Sequence, residues 1–331
     1  MRQIFHAEHS ANETLLIDTE TWIRLRGLSK VNKSRKIRLL HHCYAFTRIF
    51  HESIAGISKP TIGVERMVEL DETSPSSPKA FRVSEWGTVF DTEMSQEKSA
   101  ELGHNDLHLE TPGQWSLTLY PDIYGVPEEF VQLLSAVTRL GNERDLAHSN
   151  SGQQTCTWTQ FNSRAKMVER VILHWNPSSI RQPNSGIRHD TVDSRASNEP
   201  VLMSHLRAMC QALIIYFYRR VHDLHPQMLQ GRVLETLIAL EDCGELDRKL
   251  DVHTTLFTWP AFVSACECLD TDTQIRWTRW FDSSYETSRL SKFRQAKEVV
   301  QQVWAERAQS GDQSIDWVKF CRSQRVQLNC I

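Results

Sequence analysis

Two features of the sequence predict an all-α fold. Apolar residues recur at three- and four-residue spacing along most of the chain, and no strand-like alternation of useful length occurs. The densest case runs from Trp259 to Trp304, where three successive amphipathic segments carry Trp259, Trp277, Trp280 and Trp304. The expected architecture is a multi-helix array, elongated or two-lobed, without a fixed-period repeat.

Thr14 to Arg26 reads as a helix with Leu15, Leu16, Trp22 and Ile23 on a broad apolar face, ended by Gly27 where a left-handed cap is favoured. A second helix starts near Ser34 and runs through Ile37, Leu40, Tyr44 and Thr47 toward His51, so residues 1–55 form an N-terminal helical part. Periodicity then fades, and 56–115 is expected to be loop-rich. Within it, DETSPSSPKA (Asp71 to Ala80) is rich in Pro and Ser and reads as a mobile linker, and Asn105 to Trp115 reads as loop.

Residues 116–331 are expected to form the main helical body. Pro127 opens a helix with Phe130, Leu133, Leu134, Val137 and Leu140 inward and Gly141 closing it. Phe161, Ala165, Val168, Ile172 and Trp175 repeat that spacing. From Asn176 to Glu199 no apolar stripe occurs, which predicts a disordered loop. Pro200 starts the most hydrophobic helix, with Leu202, Leu206, Met209, Leu213 and Phe217 in one stripe and Cys210, Ile214 and Tyr218 beside it; apolar nearly all round, it should be central. The part from His205 to Tyr218 holds more apolar surface than one neighbouring helix covers, which predicts a pocket or a dimer face. Pro226 restarts the chain as a helix bearing Val233, Leu237 and Leu240, stopped by Gly244.

Thr258 or Trp259 caps the next helix, with Pro260 in its first turn and Phe262, Ala265, Cys266 and Leu269 on one face. Trp277, Trp280, Phe281 and Tyr285 then form a stripe opposite Arg276 and Arg279. A last helix from Ser291 turns Phe293, Ala296, Val300, Val303 and Trp304 inward and Lys292, Gln295, Lys297 and Glu298 outward.

Composition fits a folded soluble protein: 331 residues, 40% hydrophobic and 24% charged, with a formal charge of -3 that gives no global attraction to nucleic acid or anionic membrane. The first residues lack the apolar core of a signal peptide, and the longest uninterrupted apolar run, Ala212 to Tyr218, is far shorter than the roughly 18 residues that cross a bilayer. An intracellular protein without membrane contact is expected. The eight cysteines include no Cys-x-x-Cys pair. Cys266 and Cys268, two apart on a helix, point to opposite sides and share neither a metal nor an easy disulfide, so reduced thiols, several of them buried, are expected.

Motifs of catalysis are missing: no glycine-rich phosphate loop, no Gly-x-Ser-x-Gly elbow, no His-Glu-x-x-His helix. His41 with His42, His104 with His108, and His222 with His225 are the histidine pairs. His104 and His108 have the spacing of two metal ligands on a helix, but their stretch reads as loop, and surface or core histidines are the default. Glu241 with Asp242 and Asp270 with Asp272 sit at helix ends, where carboxylates cap or are solvated. Arg24, Arg26, Lys30, Lys33, Arg35, Lys36 and Arg38 form a basic run that could bind phosphate, but it flanks a helix–helix turn and lacks interleaved aromatics, so solvated charge is expected. No residue is assigned a catalytic, cofactor-binding or metal-ligating role, and no enzyme is expected.

Five stretches resemble the fungal-specific regulatory domain of zinc binuclear cluster transcription factors, in the subgroup of arginine-metabolism and acriflavine-sensitivity regulators. They are Arg24 to Ser53, Tyr120 to Asn142, His205 to Gln230, Trp259 to Glu267 and Ser288 to Arg307, and the most specific parts are IYGVP, IYFYRRV and WPAF with its following CE. The resemblance implies a multi-helix regulatory domain of the middle homology type, used in the nucleus to regulate RNA polymerase II transcription of metabolic or biosynthetic genes. It implies as partners other transcription regulators or the transcription machinery, and a homodimer. The six-cysteine zinc module that precedes such domains does not occur in this sequence, so zinc and DNA contact are expected only through an amino-terminal module lying outside it. The alternatives are a helical interaction scaffold unrelated to transcription and a helical metal-dependent enzyme using the histidines.

Overall fold

In the computed structural model, residues 2–28, 32–54, 81–83, 94, 96–148, 156–175, 192–250, 257–324, 326 and 328 are described, with backbone alone for 2–13 and 192–198. The chain is all-α. Its helices are α1 (Arg2–Arg26), α2 (Arg35–Ile54), α3 (Ala100–Asn105), α4 (Tyr120–Tyr124), α5 (Glu128–His148), α6 (Trp158–His174), α7 (Val192–His222), α8 (Gln230–Leu250), α9 (Trp259–Cys266), α10 (Thr271–Ser288), α11 (Ser291–Ser310) and α12 (Trp317–Ser323). Among the described residues the only β-pairing is an isolated parallel bridge between Glu97 and Gln114. Two compact units emerge, Met1–Val168 with Cys321–Gln327, and Glu169–Phe320 with Leu328–Ile331. This grouping differs from the segments 1–55, 56–115 and 116–331 because α2 packs on α5, so sequence on both sides of residue 115 shares one core.

In the first unit that core joins Phe46 and Phe50 of α2 to Phe130, Leu133, Leu134 and Val137 of α5, none more than 1% exposed. The Phe46 ring stacks on Tyr124 at 3.8 Å. Gly141 does not close α5, which runs on to His148. The continuation is held by the buried Glu143, whose carboxylate accepts from Arg82 Nε at 2.7 Å and from the Val83 amide at 3.1 Å. The apolar face expected on α1 is also corrected. Leu15 and Trp22 are 63% and 56% exposed, while among the residues of α1 whose side chains are described the fully buried one is Glu20.

In the second unit α7 is central and packs most extensively on α8 and α9. Its Glu199–His222 stretch is apolar and long enough to cross a membrane by composition, a property hidden by its scattered polar residues, yet it is mostly buried in protein. Pro200 does not start this helix: Val192 does, and Pro200 lies inside it, where the missing N–H leaves one helical hydrogen bond unmade. Of the loop expected over 176–199, residues 176–191 lie outside the described residues, as do 71–80. Gly244 does not stop α8, which continues past it with the neighbouring Cys243 fully buried.

Pro260 lies in the first turn of α9 as expected, and Asp270 caps α10 by accepting from the Thr273 amide at 2.8 Å. Trp277, Trp280 and Phe281 are buried, and Tyr285 is half-buried. Lys292, expected outward, is buried with its ammonium 5.2 Å from the Phe293 ring. Trp304 is half-buried and donates its indole N–H to the Ala265 carbonyl at 2.8 Å. The polar centre of the unit is Glu267, fully buried, which accepts from Arg219 Nε at 2.8 Å and Arg307 Nη2 at 3.0 Å. Those arginines also donate to the Ser314, Cys266 and Ile315 carbonyls and so tie the end of α9 to α7 and α11.

Candidate functional site

Buried titratable groups concentrate in the first unit. His41 and His42 leave α2 on its inner side, and His42 lies 5.6 Å from the Trp115 ring and 4.4 Å from the Tyr120 ring, centroid to centroid. His104, in the last turn of α3, meets Trp115 edge-on at 5.0 Å. The short helix can press against that indole because residue 103 is glycine: a Cβ there would lie 2.4 Å from the ring. Arg38, His41, His42, Asp106, Trp115 and Glu128 line a small cavity with room for about one water molecule. An organic effector does not fit in such a space.

Burial, followed by the charge of Lys33 and the neighbouring His42 and His104, pushes His41 down to about 4. Burial does the same for His42, also to about 4, against the pull of the Arg38 carbonyl 2.7 Å from its Nδ1. Both rings are therefore neutral at physiological pH.

Beside this cluster, Glu20 gathers α1, α2 and the 106–111 turn. Its Oε2 accepts from the Tyr44 hydroxyl at 2.7 Å and lies 3.1 Å from His108 Nε2 and 3.7 Å from Arg48 Nε, while Oε1 accepts from Arg24 Nε at 2.8 Å. His108 is delivered by a tight turn in which the Asp106 carboxylate accepts from the Glu110 and Thr111 amides at 2.6 and 2.9 Å, with Leu109 at φ 50°. Burial alone would raise the Glu20 pKa, but His108, Arg48 and Arg24 outweigh it and hold the carboxyl well below the usual range. Burial pulls the His108 pKa below its ordinary value, against the opposing attraction of the Glu20 carboxylate.

This centre was not foreseen from the sequence. Its one signal is that Glu20 interrupts the stripe Leu16, Ile23, Gly27 at helical spacing.

The remaining candidates separate. His104 and His108 do not converge, since α3 ends at Asn105 and the two rings face Trp115 and Glu20 respectively. His222 packs on Phe217 and Tyr218, whereas His225 caps the 226–229 turn through Nδ1. Among the described residues no group of three or more His, Cys, Asp or Glu is placed to hold a metal ion. Glu241 pairs with Arg276 at 2.6 Å and Asp242 with Arg207 at 2.7 Å, so neither is held as a general acid or base. Cys266 and Cys268 are buried, and burial pushes the Cys268 thiol up to about 12, which leaves it unreactive.

The basic run is only partly solvated. Arg24 turns to Glu20, Lys33 is buried and donates to Asn105 at 2.9 Å, and Arg38 donates to the Leu117 carbonyl at 2.9 Å. Arg26, Arg35 and Lys36 remain exposed, and Lys30 lies outside the described residues.

The pocket or dimer face expected along His205 to Tyr218 is corrected as well. Ile214, Ile215, Tyr216 and Phe217 are at most 5% exposed, because α8, α9 and Trp317 cover them together.

The family model described as "Fungal specific transcription factor domain" matches residues 1–331. The chain is also similar to "Arginine metabolism regulation protein II" of Saccharomyces cerevisiae, with 26% identity over 211 residues, covering 62% of this chain and 22% of that protein. It thus spans about a fifth of the length of that relative. No solved structure matches it.

Proposed function

We propose, because this chain belongs to the fungal specific transcription factor domain family, that it acts in the nucleus as the regulatory part of a transcription regulator of metabolic genes read by RNA polymerase II. The family match over the whole chain carries this reading. The geometry supports it by what the polar groups do: Glu20 and Glu267 hold helices together through arginines, and the cavity beside His41 and His42 is water-sized. Side chains committed in this way stabilise a recognition body, so regulation would come from binding other regulators or the transcription machinery at its surface. The name of the yeast relative, an arginine metabolism regulator, supports metabolic genes as the targets.

Fusing the chain to a foreign DNA-binding domain and measuring a reporter with the matching sites in yeast tests the proposal. A several-fold rise or fall relative to the DNA-binding domain alone is expected. An unchanged reporter, with the fusion present in the nucleus at normal levels, would favour the scaffold unrelated to transcription.

A further inference from the structure

Four residues on the wall of the cavity beside His41 carry a buried polar atom without a hydrogen-bond partner: Arg38 Nε, His42 Nε2, His104 Nδ1 and Trp115 Nε1. His42 and Trp115 are 5% and 6% exposed, so bulk solvent does not pair these atoms. Leaving a buried polar group unpaired is destabilising, and native proteins pair the great majority. The four residues come from α2, from α3 and from the loop ahead of α4, and they share a space with room for about one water molecule.

The chemistry of these atoms selects the occupant. His42 Nδ1 lies 2.7 Å from the Arg38 carbonyl, which can only accept. The neutral ring therefore carries its proton on Nδ1 and offers a lone pair at Nε2. The indole N–H of Trp115 and the Nε–H of Arg38 can only donate. A halide would set its charge against the Nε2 lone pair, and a metal or ammonium ion would meet the indole and guanidinium hydrogens. The carboxylates on the wall do not call for a cation either, since Lys98 lies 3.4 Å from Asp106 and 3.3 Å from Glu128. Water both donates and accepts, within the volume at hand.

We propose that this cavity is a binding site for a single, slowly exchanging water, which donates to His42 Nε2 and accepts from the Trp115 indole N–H, and so joins α2 to the loop ahead of α4. Its other hydrogen and lone pair serve His104 and Arg38. Such a water would be held whether or not the chain regulates transcription.

Water-selective Overhauser spectroscopy of the full chain with isotope-labelled tryptophan tests this, the Trp115 indole resonance being the one lost in Trp115→Phe. That resonance is expected to show a cross-peak at the water frequency, with the sign of a slowly exchanging molecule, and to stay in place when chloride is replaced by sulfate. Ala45 lines the same space, and Ala45→Val fills it. The cross-peak should then vanish while the other indole resonances remain, which separates displacement from unfolding. Thr118→Val, which removes the nearest hydroxyl along the chain, should leave the cross-peak intact. A cross-peak that survives Ala45→Val, or one lost in Thr118→Val and so due to hydroxyl exchange, would overturn the proposal. In the unsubstituted chain, so would a missing or fast-exchange cross-peak, or an indole resonance that moves with chloride.

Discussion

The Tyr44 hydroxyl donates to Glu20 Oε2 at 2.7 Å, and the carboxylate that receives it has no solvent contact. Through it α1 is fixed to α2 by a polar bond where a helix pair ordinarily uses leucines. Glu20→Gln is expected to cost about 3 kcal/mol, because in a buried place it leaves Arg24 without its anion and takes from Arg48 one of its two carboxylates, the other being Glu52. Urea unfolding checks this; a change below about 1 kcal/mol would mean that the charge is not buried as described.

Acid should unfold the protein earlier than its carboxylates alone require. An unfolded histidine binds its proton near pH 6.5, whereas burial delays this to about 4 for His41, His42 and His205. The groups facing them are Lys33, Arg38 and His104 for the first two and Lys292 for the third. Between those values the unfolded state holds more protons, so stability is full above about pH 6.5 and falls toward pH 4, by roughly 3 kcal/mol per histidine at the lower end. Glu20, with its lowered pKa, adds loss on acidification in the same direction. The urea midpoint measured from neutral pH downward should drop steadily across this window, and His205→Gln should flatten the slope.

Two glycines in helices should respond in opposite ways to alanine. Gly103→Ala puts a methyl into the Trp115 ring and is expected to cost about 1 to 3 kcal/mol and shift the tryptophan emission. Gly244→Ala meets nothing within 4 Å and is expected to stabilise α8 by about 0.5 to 1 kcal/mol. Equal effects of the two changes would contradict the packing at Gly103.

Tryptophans differ in the same way. Trp277→Ala, at a fully buried ring, is expected to cost about 3 to 5 kcal/mol, a large part of the stability of a domain. Trp158→Ala removes a ring that is 62% exposed and stacked on Phe161, and is expected to cost under about 1 kcal/mol. Thermal melts of the two variants separate them.

Helices with an unbroken apolar stripe are legible in the sequence, as Phe130 to Leu140 and Phe293 to Val303 show. Local breakers mislead. Gly141, Pro200 and Gly244 all lie inside helices, because packing of their neighbours outweighs an intrinsic cost of about 1 kcal/mol for glycine. α1 is misread for another reason: its exposed Leu15 and Trp22 look like a core face, and one glutamate with partners 24 and 88 residues away decides which side goes inward. The His42, Trp115 and Tyr120 cluster brings together α2, a loop and α4, a meeting that spacing along the chain does not encode. The same holds for the basic run, which looks uniform in sequence and is divided by tertiary bonds into inward and outward halves.

The seven cysteines described are free thiols, five of them buried and two half-buried. Alkylating reagents should therefore reach Cys43 and Cys156 promptly and wait for Cys210, Cys243, Cys266, Cys268 and Cys321 to be uncovered by transient opening. The molecule carries its own timers for such fluctuations, with Cys321 assigned to the first unit and the four from Cys210 to Cys268 to the second.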